Sequence, residues 1–294
     1  MTDRQPEDLV LVEDAIWLLT RPTGSAIYDM PFDRLLACRR PYQRPDSVTA
    51  IARVGAIPDY EAYFQRWAEQ GVRLIHTPDE HRRASELPCW YPLLEGLTPK
   101  SLWFAEPPPA ALIERELGWP IFMKGSRQTS RHQKSLAIID GPVAYAHALD
   151  AYARDAILFW QDLVCRQYVR LRPVDDVVAG DRIPSAFEFR SFWWYGELVG
   201  FGRYWWEGRN YDVTRAERQA ALAVAAEAAR RVNVPFLVVD IAQDVAGTWL
   251  VIECNDGQES GHAGISALGL WQKIVEVSRQ GLPPAPTRAH TAER

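Results

Sequence analysis

The chain has 294 residues, 47% of them hydrophobic and 24% charged, with 33 Lys and Arg against 38 Asp and Glu. That composition belongs to a globular chain long enough for two or three subdomains. A net charge of −5 gives no general footprint for nucleic acid or for an anionic membrane, and no apolar run reaches the roughly 18 residues of a membrane span.

In chain order, residues 1–8 and 282–294 are polar or proline-rich and read as frayed ends, the second a disordered tail. Residues 9–19 are apolar but interrupted by Glu13 and Asp14, and they lack the basic start and cleavage site of a signal peptide. A strand is expected at 48–54 and a helix at 59–70, ended by Gly71. A strand at 72–76 follows, then a helix opened by Thr77-Pro78-Asp79-Glu80, with proline early and acids in its first turn. Strands are expected at 101–104, 120–124 and 135–139, and helices at 107–117 and 143–157. The second half reads as strands at 163–169, 187–195, 197–206, 236–242 and 249–254, with helices at 214–231 and 264–279. Thr214 and Glu217 form a capping box for the first of these two helices. Strand-like and helix-like segments thus alternate, an α/β or α+β pattern. Cys38, Cys89, Cys165 and Cys254 are scattered without a CxxC pair. Neither a disulfide framework nor a zinc site is expected, the thiols read as buried, and a reducing cytoplasm is the expected location.

Chemistry concentrates in the stretch from Pro235 to Gly261, which reads PFLVVDIA, a polar turn, then TWLVIECNDGQESG. Each apolar strand carries one acid, and a buried carboxylate is costly unless its charge is compensated. With residues 245–248 as a four-residue hairpin loop, Asp244 faces Trp249 and Asp240 faces Glu253, about 5 Å apart at Cβ. Asn255 lies two residues on, on the same face as Glu253. Two carboxylates and an amide so placed suit a hard divalent cation such as magnesium. A slip of one residue puts the acids on opposite faces.

Lys124 ends the apolar strand IFMK and is placed to reach a phosphate as a point charge. The following loop, GSRQTSRHQK, carries Arg127, Arg131, His132 and Lys134 among hydroxyls, a lid suited to phosphate oxygens. Glu188, Arg190 and Phe192 share one strand face. Arg190 either grips a transferring phosphoryl group bidentately or pairs with an acid; Arg203 is a weaker candidate for the same pocket. Trp193, Trp194, Trp205 and Trp206 read as packing residues. There is no GxxxxGK[ST] loop, GxGxxG fingerprint, HExxH helix or GxSxG elbow.

Taken in order, these segments resemble the ATP-grasp superfamily from about residue 48 to the final helix. GWPIFMKG is similar to its strand bearing the nucleotide lysine, LVCRQYVRL to its adenine hinge, and EFRSFWWYGELV to its phosphate-arginine strand. Asp240, Glu253, Asn255 and Gly261 match its metal-binding pair of strands. The resemblance implies a three-part fold: an N-terminal α/β domain (1–98), a small nucleotide lid (99–168) and a C-terminal α+β domain (169–281). It implies ATP as cofactor with Mg2+ or Mn2+ held by Asp240, Glu253 and Asn255. Nucleotide contacts are implied for Lys124, Arg131, Lys134, Glu188 and Arg190, and for the hinge Arg166, Gln167, Tyr168 and Val169, largely through backbone; Lys124 and Arg190 are the implied catalytic pair. It further implies an ADP-forming ligase joining a carboxylate to an amine (or thiol) acceptor, either an amino acid, a peptide or a protein. A kinase that stops at phosphoryl transfer and a non-catalytic nucleotide-binding module are the alternatives. The pattern departs from the family in its basic, glycine-poor lid loop and in a second lysine that Lys100 matches only loosely; Asp256 is an alternative to Asn255 at the metal.

Overall fold

The first apolar stretch folds as a hairpin. Leu9–Val12 (β1) and Ile16–Thr20 (β2) pair antiparallel across a turn in which Glu13 and Asp14 both have positive φ, 50° and 54°, a mirror-image turn that follows strand twist. Its buried positions do not simply alternate, so the strand period was not legible in the sequence. The structure, a computed structural model, describes residues 9–20, 31–41, 43–53, 57, 59–127, 133–155, 158–175 and 180–281. The expected tail at 282–294 lies outside these residues.

Three more segments build on the hairpin: Phe32–Leu35 (α1), Cys38–Arg39 (β3) and Val48–Arg53 (β4). Tyr60–Ala68 (α2) is capped by Asp59, which accepts from the Ala62 N–H at 2.9 Å, and Val72–Leu74 (β5) returns parallel to β4. The sheet order is β3-β1-β2-β4-β5. Pro78–Ser85 (α3) begins where expected, with Thr77 and Glu80 forming a capping box, and Leu87–Trp90 (α4) leads out of the sheet.

A second, antiparallel sheet, β6-β9-β7-β8, uses Ser101–Phe104 (β6), Ile121–Gly125 (β7), Ile138–Ile139 (β8) and Leu163–Gln167 (β9). Ala110–Leu117 (α5), Lys134–Ala137 (α6) and Pro142–Tyr152 (α7) complete it. Residues 135–139 are therefore not one strand as expected. The Ser135 N–H and hydroxyl both donate to the Asp181 carboxylate, the N–H at 2.8 Å, and this contact from a distant loop holds a helical turn ahead of a two-residue strand.

The third sheet, β11-β10-β12-β13, comprises Glu188–Trp194 (β10), Glu197–Arg203 (β11), Phe236–Gln243 (β12) and Trp249–Asp256 (β13). Arg215–Val232 (α8) covers one face, where Ala221, Ala225 and Ala228 let the helix approach Phe189, Leu237, Val239 and Cys254. Ala267–Arg279 (α9) and the N-terminal sheet cover the other through Trp271, Ile274 and Leu18 against Phe192, Trp194, Phe236 and Val238. Every residue of β12 is buried as a result, as in strands covered on both faces. Trp193 and Trp194 fill these two cores, whereas Trp206 is exposed. Among the described residues no helix is long and apolar enough to cross a membrane. All four cysteines are free, with Cys165 and Cys254 buried.

Candidate functional site

The two acids in β12 and β13 face each other. Asp240 pairs with Glu253, Val239 with Cys254 and Val238 with Asn255. The turn differs from expectation: Gln243, not Asp244, opposes Trp249, and the loop is one residue longer. A bulge after Asp240 places Ile252 as the extra residue and restores the register, as bulges do when they re-aim a side chain. The acids share a face because two departures from the simple hairpin cancel.

Both carboxylates are compensated by protein cations. Arg190, directly opposite Asp240 on β10, donates to it twice, from Nε at 2.8 Å and Nη2 at 2.7 Å. Its Nη1 donates to the Gly261 carbonyl at 2.9 Å, and Tyr204 lies over the guanidinium at 5.0 Å. Lys124 is 3% exposed and pairs with Glu253. Burial alone raises the Glu253 carboxyl, but the Lys124 ammonium and side-chain hydrogen bonds from Lys124 and Asn255 outweigh it and hold the group below its ordinary range. The Asn255 bond places that amide on the same face as Glu253. Burial pushes Asp240 upward despite Arg190. Two carboxylates and an amide oxygen are hard ligands that fit a magnesium ion. Among the described residues no trio of His, Cys, Asp and Glu is placed to hold a metal.

Beside the acids are two adjoining cavities of about 120 and 90 Å³. The larger is mainly apolar, walled by Phe122, Ile138, Leu171, Ile183, Pro184 and Ile252, with Arg166, Gln167, Tyr168 and Val169 along one side. The smaller shares Phe122, Arg166 and Ile252 and adds Lys124, Glu188, Tyr204, Trp205 and Glu253. An apolar slot thus opens onto a charged one, the layout of a site for a ligand with one apolar and one ionic end.

Arg166 sits at the junction. Its Nε donates to Ser101 Oγ at 3.0 Å and its Nη1 to the Ile252 carbonyl at 2.6 Å, while its Nη2 is buried with no hydrogen-bond partner among the described residues. Burial lowers its pKa to about 10. The family resemblance implies largely backbone contacts at this position; the structure adds an arginine side chain facing both cavities. No sequence signal marks that role, because its partners come from β6 and β13.

Glu188 accepts from the Trp205 indole N–H at 2.8 Å. Burial, then the Asp240 charge, pushes its carboxyl up to about 8, against about 4.3 for an unfolded glutamate. A raised acid contributes stability that is complete below the unfolded pKa and is lost as pH rises through the folded value. Glu188→Gln is therefore expected to lose less unfolding free energy than the wild type between about pH 5 and about pH 8.5, checked by urea denaturation of the ligand-free protein; parallel losses would contradict the assignment.

Other expected residues lie elsewhere. Lys134 is exposed at the start of α6 and lines neither cavity. Arg131 and His132 lie outside the described residues. Lys100 donates to the Glu116 carbonyl in the last turn of α5 at 2.8 Å and lines neither cavity. Arg203 pairs with Asp212 at 2.7 Å rather than entering the pocket. Arg190 lines neither cavity directly, because Asp240 and Gly261 hold it below Tyr204. Asp256 faces away from Asn255, bound by His76 and His81 under the N-terminal sheet, and does not replace it. His262, unnoticed in the sequence, packs near Phe192 at 6.3 Å; burial and the charges of Arg53 and Arg190 lower its pKa to about 4.

The three sheets, with the facing acids at the edge of a two-cavity cleft, have the ATP-grasp fold. Residues 116–274, more than half of the chain, match the model of an ATP-grasp domain family, the one numbered 3 within its clade, and the chain belongs to that family. Similar solved structures include an ATP-grasp RimK domain protein from Sphaerobacter thermophilus DSM 20745, 13% identical, with a TM-score of 0.52 over 78% of this chain and 80% of that one. Another is a D-alanine–D-alanine ligase from Bacillus anthracis complexed with ATP, 12% identical, with a TM-score of 0.56 over 79% and 78%. The D-alanine–D-alanine ligase from Coxiella burnetii is 15% identical, with a TM-score of 0.55 over 80% and 68%. At these identities the likeness is one of fold. Among curated protein sequences none matches this chain.

Proposed function

We propose that the chain is an ATP-dependent ligase that joins a carboxylate to an amine (or thiol), releasing ADP and phosphate. The observation that carries this reading is the strand-paired acids Asp240 and Glu253, with Glu253 lining the charged end of an apolar slot and Asn255 hydrogen-bonded to it. Adenine occupies the slot along Arg166–Val169. Lys124 and Arg166 meet the phosphates, and Arg190 holds Asp240 in place while adding positive charge below them. Asp240, Glu253 and Asn255 hold Mg2+ (or Mn2+), which supplies charge neutralisation on the phosphates when bound. The Bacillus anthracis relative in fold, solved with ATP, supports the nucleotide assignment.

In the reaction the donor carboxylate oxygen attacks the γ-phosphorus, the bond to the β-phosphate oxygen breaks, and ADP leaves an acyl phosphate. The amine nitrogen then attacks the acyl carbon and phosphate departs. No protein nucleophile is required; Lys124, Arg166 and Arg190 stabilise charge that spreads during phosphoryl transfer, and a closed cleft protects the acyl phosphate from water. A matrix of carboxylates and amines, read out by ADP release and product mass, tests the proposal. ADP with amide is expected only when both partners are supplied. ADP with a phosphorylated single acceptor would make the protein a kinase, and bound ATP without turnover would make it a binding module.

A further inference from the structure

The end of β13 and the loop that follows it hold a second group of buried charges, apart from the acid pair. Asp256 Oδ2 lies 2.9 Å from His76 Nδ1 and 2.9 Å from His81 Nδ1. The Gln258 N–H donates to Asp256 Oδ1 at 2.7 Å and its side-chain amide to Oδ2 at 3.0 Å. At His76 the backbone N–H of Phe236 donates to Nε2 at 2.9 Å, which leaves Nδ1 as the protonated nitrogen. His81 is arranged the same way: Nδ1–H faces the carboxylate, and Arg127 Nη2 lies 3.3 Å from Nε2, whose lone pair accepts. Its ring stacks on Tyr60 with centroids 3.9 Å apart and planes 2° from parallel.

Arg127 is held by three acceptors at once. Its Nη2 lies 3.3 Å from His81 Nε2, 3.0 Å from Glu259 Oε2 and 3.4 Å from the Ile57 carbonyl. Glu259 is itself oriented by the Ile57 N–H, which donates to Oε1 at 2.9 Å. The acceptors come from α3, from the loop after β13 and from the segment after β4, so three parts of the fold converge on one hydrogen-bonding cation. That cation arrives from the chain three residues beyond Lys124, while Glu259 lies six residues beyond Glu253. The pocket is therefore tied through short connections to both partners of the Lys124–Glu253 pair. A primary ammonium offers the same chemistry as the guanidinium: a monocation with several N–H donors.

We propose that His81, Glu259 and the Ile57 carbonyl form the acceptor-amine subsite, with Arg127 standing in for the substrate ammonium; this rests on the ligase reading above. The ammonium displaces Arg127 and hands one proton to His81 Nε2, while Asp256 holds the ring by its other nitrogen, as in a carboxylate–histidine pair. The freed lone pair forms the C–N bond to the acyl phosphate carbon. The C–O bond to phosphate then breaks, its electron pair leaves with the phosphate, and the second amine proton goes with it. The imidazolium formed lies between the carboxylates of Asp256 and Glu259. The groups that face His81 throughout are Asp256, Glu259, Arg127, Tyr60 and His76.

Hydroxylamine separates this subsite from the phosphate chemistry, because it is uncharged at neutral pH and traps an acyl phosphate as hydroxamate without needing a base. The experiment uses the full chain with a donor and amine pair found active in the matrix. His81→Asn is expected to lower amide formation about 10²-fold more than hydroxamate formation. Glu259→Gln, which keeps the side chain's shape, is expected to raise the KM for the amine about tenfold or more. Unchanged amine kinetics in both variants, or equal loss of amide and hydroxamate, would overturn the proposal. Should the wild type give neither product with any donor, the ligase reading itself falls, and the subsite with it.

Discussion

Glu253→Ala is expected to lower ADP formation at saturating ATP and magnesium by about 10²- to 10³-fold, the scale set by losing a preorganised charge at a phosphoryl-transfer site. Glu253 faces Asp240 across the strand pair, accepts from Asn255 and neutralises Lys124. Removing it takes away a proposed metal ligand and leaves an ammonium that is 3% exposed without its partner. Breaking a buried pair on one side destabilises by about 3 kcal/mol or more, so the variant is also expected to melt earlier. Glu253→Gln separates the two effects: it preserves the side chain's shape but not its charge, and is expected to retain more stability than activity. ADP release on folded variants, confirmed by circular dichroism, is the check. Undiminished ADP formation in either variant would remove Glu253 from the metal site.

The largest effect on stability is expected at Asp256. Its carboxylate receives four hydrogen bonds, from His76, from His81 and twice from Gln258, in a region closed to water. Asp256→Ala leaves both histidine N–H groups and the Gln258 backbone N–H without an acceptor, and leaves the Gln258 amide only the Tyr60 hydroxyl, at a cost of about 3–5 kcal/mol of unfolding free energy. Burial works to raise the Asp256 pKa, but His76 and His81 outweigh it and hold the carboxyl far below the usual range. A depressed acid contributes stability that is present above its unfolded pKa, about 3.9, and is lost as pH falls toward the folded value. The gap between wild type and variant is therefore expected to be widest near neutrality and to narrow below about pH 4. Urea titrations across that range would show it, and a gap that widened in acid would contradict the arrangement.

Much of the site was legible in the residues. One acid in each of two apolar strands, with a short polar turn between, led to the right partner for Asp240, although the expected loop was one residue too short and the compensating bulge was not foreseen; Lys124 at the end of its strand pointed to the same cleft. What escaped was whatever depends on contacts between distant segments. The bulge at Ile252 has no local signature, and without it the longer loop would have turned the acids apart. Asp256 follows Asn255 directly, yet alternation sends it to the opposite face, and its partners lie 175 and 180 residues earlier. Arg190 offers two readings from sequence, phosphate or acid, and the structure shows the acid. The side-chain role of Arg166 depends on Ser101 and Ile252, which approach it only through sheet pairing and domain packing. At β1 and β2, burial that does not simply alternate concealed the strands.

Titration calorimetry with a non-hydrolysable ATP analogue tests most directly whether the two facing acids form a cation site for nucleotide. The analogue is expected to bind the wild-type chain at least tenfold more tightly with Mg2+ than with EDTA, and Asp240→Asn and Glu253→Gln are each expected to abolish that difference. Equal binding with and without the cation, or a cation dependence that survives both substitutions, would contradict it.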